Sequence, residues 1–175
     1  MKLITLLSLL LVINSCDTKK AVVSEKEKEM IVLVEGITYN EKEISVNSSS
    51  NSTLTIKEDT IGELYPVIES GENIVIDFTY EKKAPEGIAD GDYSETLHFE
   101  IPKNTTVLNL NDASLNDVKL LFGKHCFCRG EAGYYNVKKG NMKIIKTDNE
   151  IFFDITFTVD ETSTKLERIA KHIKL

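Results

Sequence analysis

From residue 30 onward, apolar and polar side chains alternate along much of the chain with a repeat of two. The clearest run has apolar side chains at every second position, namely Ile151, Phe153, Ile155, Phe157 and Val159. A strand points successive side chains to opposite faces, so this run predicts a strand with one buried and one solvated face. The same alternation predicts strands over 74–80 and 97–101.

Weaker alternation and turn residues complete the predicted fold. Further strands are expected over 30–35, 42–46, 53–57, 105–110, 118–127, 134–137 and 142–146. Turns are expected at Asp148-Asn149 and at Lys139-Gly140-Asn141, and a serine-rich loop over 48–52. Many short strands at this spacing predict an all-β protein, an antiparallel β-sandwich of immunoglobulin-like or similar type. A small β-barrel is the alternative.

Two segments fit either a helix or a strand. Ser114 can cap a helix that runs to Phe122, but a turn followed by a strand is favoured because Gly123 would end such a helix at once. The tail 165–175 has apolar residues at helical spacing, although its last residues also alternate. A final strand is favoured there.

The first fifteen residues have a different pattern. Lys2 precedes an apolar run over 3–13, which is too short for a transmembrane helix of about 20 residues and is typical of a signal peptide. The run ends in Ile13-Asn14-Ser15-Cys16. This sequence resembles the lipobox of bacterial lipoproteins, with an aliphatic residue, a small residue and then the acceptor cysteine.

The resemblance implies cleavage before Cys16 and attachment of acyl chains to that residue. Two or three chains bind a membrane far more firmly than one. The chain is therefore expected to consist of a signal peptide (1–15), a lipidated cysteine with a charged, solvated tether (16–29) and an all-β domain (30–175). Its expected location is the bacterial cell envelope, anchored through lipid to a membrane, with the outer membrane or the periplasmic side favoured.

Charge narrows the range of partners. The formal net charge is −7, and no basic stripe with interleaved aromatic residues is present. Such an acidic chain repels nucleic-acid phosphates, so no nucleic-acid partner is expected. Envelope proteins or a small ligand remain as expected partners, together with the membrane itself.

One group of residues suggests chemistry: His125, Cys126 and Cys128. On a regular strand the two cysteines face the same way about 6.7 Å apart, whereas a disulfide needs Cβ atoms about 3.8 Å apart. The strand must therefore kink to form a disulfide, or the thiols stay free, or they bind a soft metal such as Cu or Zn. His125 points to the other face and joins both cysteines only if the strand bulges.

No catalytic motif is evident, and His98 and His172 are expected to be surface histidines. The expected function is a non-enzymatic binding or structural module without a cofactor. The alternative is a thiol-redox or Cu/Zn-binding protein that uses Cys126 and Cys128.

Overall fold

The structure is a computed structural model that describes residues 31–34 and 43–175. The predicted signal peptide, the acylated Cys16 and the tether over 16–29 lie outside these residues. The predicted all-β domain (30–175) is described except for residue 30 and residues 35–42. The strand predicted over 30–35 is seen as a four-residue strand.

The described chain forms ten strands and one short helix. The strands are β1 (Ile31–Val34), β2 (Ile44–Glu58), β3 (Leu64–Lys82), β4 (Tyr93–Ile101), β5 (Val107–Asn111), β6 (Leu121–His125), β7 (Gly133–Asn136), β8 (Lys139–Lys146), β9 (Glu150–Thr158) and β10 (Leu166–Lys174). A 3₁₀ helix covers Asp112–Val118 between β5 and β6. The all-β prediction is confirmed.

The strands pair in two antiparallel sheets of five. Sheet 1 has the order β1-β10-β9-β8-β5, and sheet 2 has the order β2-β3-β4-β6-β7. Neither sheet closes on itself, so the sandwich is the correct choice and the barrel alternative is wrong.

The core lies between the two sheets and is filled by the alternating apolar positions. From β9 come Ile151, Phe153, Ile155 and Phe157; from β3 and β4 come Ile74, Ile76, Phe78, Leu97, Phe99 and Ile101. The ring of Phe99 meets the ring of Phe153 edge-on, with 5.4 Å between centroids. Such aromatic pairs across the two layers add to the apolar burial that holds the sheets together.

The hairpin of β2 and β3 is longer than the sequence predicts. The expected serine-rich loop over 48–52 lies inside β2, where pairing continues past an irregularity near Ser52. Beyond it the hairpin covers the outer face of sheet 2, since Leu54 N and Thr53 Oγ1 donate hydrogen bonds of 2.9 and 3.0 Å to Glu100 of β4. Near the hairpin's tip, Glu63 lies beside Gly133 of β7.

Two further local expectations are corrected. The turn expected at Lys139-Gly140-Asn141 is wrong, because these residues begin β8 and Gly140 pairs with Phe157. The strand expected from residue 118 starts only at Leu121, because the 3₁₀ helix precedes it. The favoured strand in the tail is seen as β10, and the turn at Asp148-Asn149 joins β8 to β9.

Candidate functional site

The two neighbouring cysteines lie in a turn immediately after β6. The strand ends at His125, and a disulfide joins Cys126 to Cys128 with their Cα atoms 5.2 Å apart. The chain turns further at Gly130, whose φ of +74° suits glycine, and the Glu131 amide donates to the Cys128 carbonyl at 3.3 Å. The strand ends before Cys126, so the chain can bend and bring the two cysteines within bonding distance.

Phe127 stands at the tip of this turn, between the two bonded cysteines. Its side chain is 90% exposed, the highest value among the large apolar residues that the structure describes, followed by Ile61 at 81%. We call residues 126–131 the cysteine turn. A bulky aromatic ring in water has an unfavourable contact with solvent that burial against a partner would remove.

The base of the cysteine turn is fixed by a charged group of low exposure. The Lys124 side chain is only 4% exposed, and its Nζ lies 2.5 Å from Glu131 Oε2. The same ammonium donates to Ser163 Oγ at 2.7 Å, in the β9–β10 loop, and Ser163 Oγ donates to Glu131 Oε2 at 2.7 Å. Hydrogen bonds from Lys124 and Ser163 lower the pKa of Glu131 to about 2. The turn is therefore held against a loop of the opposite sheet.

A groove of about 320 Å³ runs beside the turn. It is lined by Glu81, Asp90, Asp92, Tyr93, Ser94, His125, Cys126 and Phe127. Lys83 pairs with Glu81 at 2.5 Å and with Asp92 at 3.0 Å. The groove thus has three carboxylates, and a single ammonium pairs with two of them. Its net charge is therefore negative.

His125 lies at the edge of this groove with its ring nitrogens free of hydrogen bonds to any residue the structure describes. Its ring packs edge-on against Tyr134 of β7, with centroids 5.1 Å apart. Burial, with a smaller effect of nearby His98, lowers the pKa of His125. The lowered pKa favours the neutral form of the imidazole.

His98 is a feature that the sequence did not reveal. Its side chain is 13% exposed, and its Nδ1 lies 2.6 Å from Asp77 Oδ1 while Nε2 lies 3.2 Å from Thr96 Oγ1. The order of carboxylate, imidazole and hydroxyl resembles a nucleophilic relay. A Cβ on Gly123 would overlap both Thr96 Oγ1 and the Tyr134 ring, so these two side chains pack directly on Gly123. We interpret the group as a hydrogen-bonded anchor on the outer face of sheet 2.

The structure does not bring His125, Cys126 and Cys128 together as a metal-binding group. Among residues 43–175, no group of three or more histidine, cysteine or acidic side chains is arranged to hold a metal ion. Cys126 and His125 share the groove, whereas Cys128 lines only a neighbouring depression, together with Cys126, Phe127 and Arg129. His172 packs its ring on Phe152, with centroids 4.6 Å apart, far along β10.

Fold and site together define a two-sheet β-sandwich protein that displays an aromatic side chain on a disulfide-closed turn. Comparison with protein families, with curated proteins and with solved structures finds no significant match for the chain. In the described part of the chain, no helix has the length and apolarity that crossing a membrane requires.

Proposed function

We propose that this protein is a lipid-anchored module of the bacterial cell envelope that binds a partner protein through Phe127 and the neighbouring groove. The membrane attachment is supported by the lipobox resemblance that ends at Cys16. The observation that carries the binding role is the 90% exposure of Phe127 on a turn fixed by a disulfide and a buried ammonium.

The shape of the site favours a protein partner over a small ligand. Small-molecule sites are concave and enclose most of their ligand. Phe127 projects outward instead, as do the aromatic anchors that dominate protein interfaces when they enter a pocket of the partner. Because the turn is already ordered, little conformational entropy is lost when it binds.

The charge of the groove beside Phe127 indicates which residues surround the partner's pocket. Glu81, Asp90 and Asp92 leave the groove beside Phe127 negative after pairing with Lys83. Opposite charges across an interface guide association and exclude wrong partners. The partner is therefore a protein with an apolar pocket flanked by lysine or arginine.

The direction of β1 supports display of the turn away from the membrane. Ile31 pairs with Ala170 and Val34 pairs with Leu166, so β1 runs toward the end of the sandwich where Leu166 begins β10. Glu95 and Lys124 lie at that end, next to the cysteine turn. Ile31, where the described part of the chain begins, therefore lies farther along β10 from the cysteine turn than Val34 does.

The experiment compares complexes isolated in mild detergent from the native host with the wild type, Phe127→Ala and Ile61→Ala. Ile61 is the matched control, an exposed apolar side chain on the turn between β2 and β3. We expect one partner to copurify with wild type and the control. Its affinity for the purified Phe127→Ala domain should fall at least tenfold, as is typical for loss of an interface anchor.

Equal affinity of all three proteins for that partner would overturn the binding role. Adsorption of the unacylated domain to lipid vesicles through Phe127 would also contradict it, because the site would then face a membrane.

A further inference from the structure

One groove is lined both by a cysteine of the disulfide and by a histidine. His125 and Cys126 both line it, and Phe127 forms its outer rim. Both bonded cysteines line the adjoining depression, together with Phe127 and Arg129. Of the two bonded cysteines, only Cys126 shares the groove with His125.

Stabilisation of the fold does not explain this disulfide. The bond joins residues only two positions apart. The effect of a disulfide on the unfolded chain grows with the length of the loop that it closes, so this bond restricts the unfolded chain very little. The turn is also held independently through Lys124, Glu131 and Ser163.

We propose that the Cys126–Cys128 disulfide is a thiol–disulfide exchange site that oxidises a dithiol, with His125 as the base and Arg129 beside the leaving sulfur. This activity goes beyond the proposed binding role and does not depend on it. Phe127 and Arg129 are exposed and the two cysteines are only half-buried, so a thiol can reach the bond.

The exchange takes place in two steps. His125 accepts the proton of the first thiol, and the resulting thiolate attacks Cys126 Sγ; a mixed disulfide forms while the Cys126–Cys128 bond breaks. The electron pair moves to Cys128 Sγ, where the Arg129 guanidinium stabilises the thiolate. The second thiol of the substrate then attacks the substrate sulfur of the mixed disulfide and releases Cys126. Two electrons and two protons pass from the dithiol to the protein, which ends with two thiols.

The test measures the rate at which glutathione forms a mixed disulfide with the oxidised soluble domain, for the wild type and for His125→Asn. At pH 7 an ordinary thiol with a pKa of about 8.5 is only about 3% thiolate. A base that removes its proton therefore has most effect there and little effect at pH 9.5. We expect His125→Asn to react about tenfold more slowly at pH 7 and at the wild-type rate at pH 9.5.

His172→Asn is the matched control, because this histidine lies on β10 away from the groove. It should react at the wild-type rate at both pH values. Peptide mapping after an acid quench should find glutathione on Cys126. Equal rates for wild type and His125→Asn at pH 7, an equal decrease at both pH values, or an adduct on Cys128 would each overturn the exchange site. The Phe127→Ala binding experiment is unaffected by any of these results.

Discussion

At the scale of single residues, the cysteine turn depends on the ion pair between the buried Lys124 and the partly exposed Glu131. Glu131 has its pKa lowered to about 2, from an ordinary value of 4.5, by hydrogen bonds with Lys124 and Ser163. A carboxyl group whose pKa is lower in the folded state stabilises the fold above its ordinary pKa. That stabilisation is lost as the pH falls from about 4.5 toward 2.

Glu131→Gln should therefore be less stable than the wild type at pH 6, and the difference should shrink as the pH falls toward 2. Urea unfolding midpoints at pH 6, 4 and 2.5 check this. Glu86→Gln is the control, an exposed loop carboxylate that should change the midpoint little at any pH. A constant difference between wild type and Glu131→Gln across this range would contradict the charge-based account.

Residues that meet across strands were the hardest to predict from sequence. Asp77 and His98 are 21 positions apart and become neighbours only through the register of β3 and β4. Glu95 looks like a solvated acid, yet it is buried and accepts hydrogen bonds from the Lys165 and Leu166 amides at 2.7 Å. Alternation along one strand gives no information on which residue lies opposite.

At the scale of elements, Gly140 shows why a predicted turn became a strand. Its φ is +148°, and a Cβ there would overlap the Thr156 carbonyl oxygen and Phe157 backbone of β9. A glycine next to lysine and asparagine is typical of a turn, but here it permits close approach of two strands. Only the paired strand, which the local sequence does not show, distinguishes the two cases.

Gly140→Ala should lower the free energy of unfolding by at least about 2 kcal/mol, because the strained φ and the overlap add. Gly87→Ala is the matched control: its φ is +88°, but a Cβ there meets nothing within 4 Å. It should cost only about 1 kcal/mol. Chemical denaturation measures both, and equal losses would show that overlap with β9 is unimportant.

The strongly alternating strands over 74–80, 97–101 and 151–159 were predicted correctly, and each has one face in the core. The exception is Val159, which follows directly after the end of β9. The serine-rich segment was not. Ser48 to Ser52 has little apolar content, but its backbone pairs with β3 on the edge of sheet 2. Pairing with a long partner strand outweighs weak local preference.

At the scale of the whole molecule, the sandwich should stay folded without its disulfide. Among the described residues, 21 are buried in the core between the two sheets. By contrast, closing a loop of three residues contributes only about 1.6 kcal/mol in the chain-entropy estimate. The Cys126→Ser/Cys128→Ser variant should therefore lose no more than about 2 kcal/mol of unfolding free energy. Circular dichroism and urea unfolding test this, and loss of the folded state would show that the bond is structural.

The candidate site was visible in sequence only in part. His125, Cys126 and Cys128 lie within four positions of the sequence, and their residue types alone indicate a candidate site. His125 and Cys126 meet Tyr93 and Asp92 in the groove because β6 ends beside the start of β4. The exposure of Phe127 depends on where β6 stops. The sequence predicts a strand that continues to Phe127, whereas β6 ends at His125. The exposure of Phe127 therefore could not be predicted from the alternation of side chains.

Membrane attachment through Cys16 is the central claim, because the envelope location follows from it. The most direct measurement is the intact mass of the protein extracted in detergent from its native host. We predict residues 16–175 with acyl groups on Cys16, and a mass lower by the two hydrogen atoms that the Cys126–Cys128 bond removes. A full-length chain, or a Cys16 sulfur without lipid, would contradict the proposal.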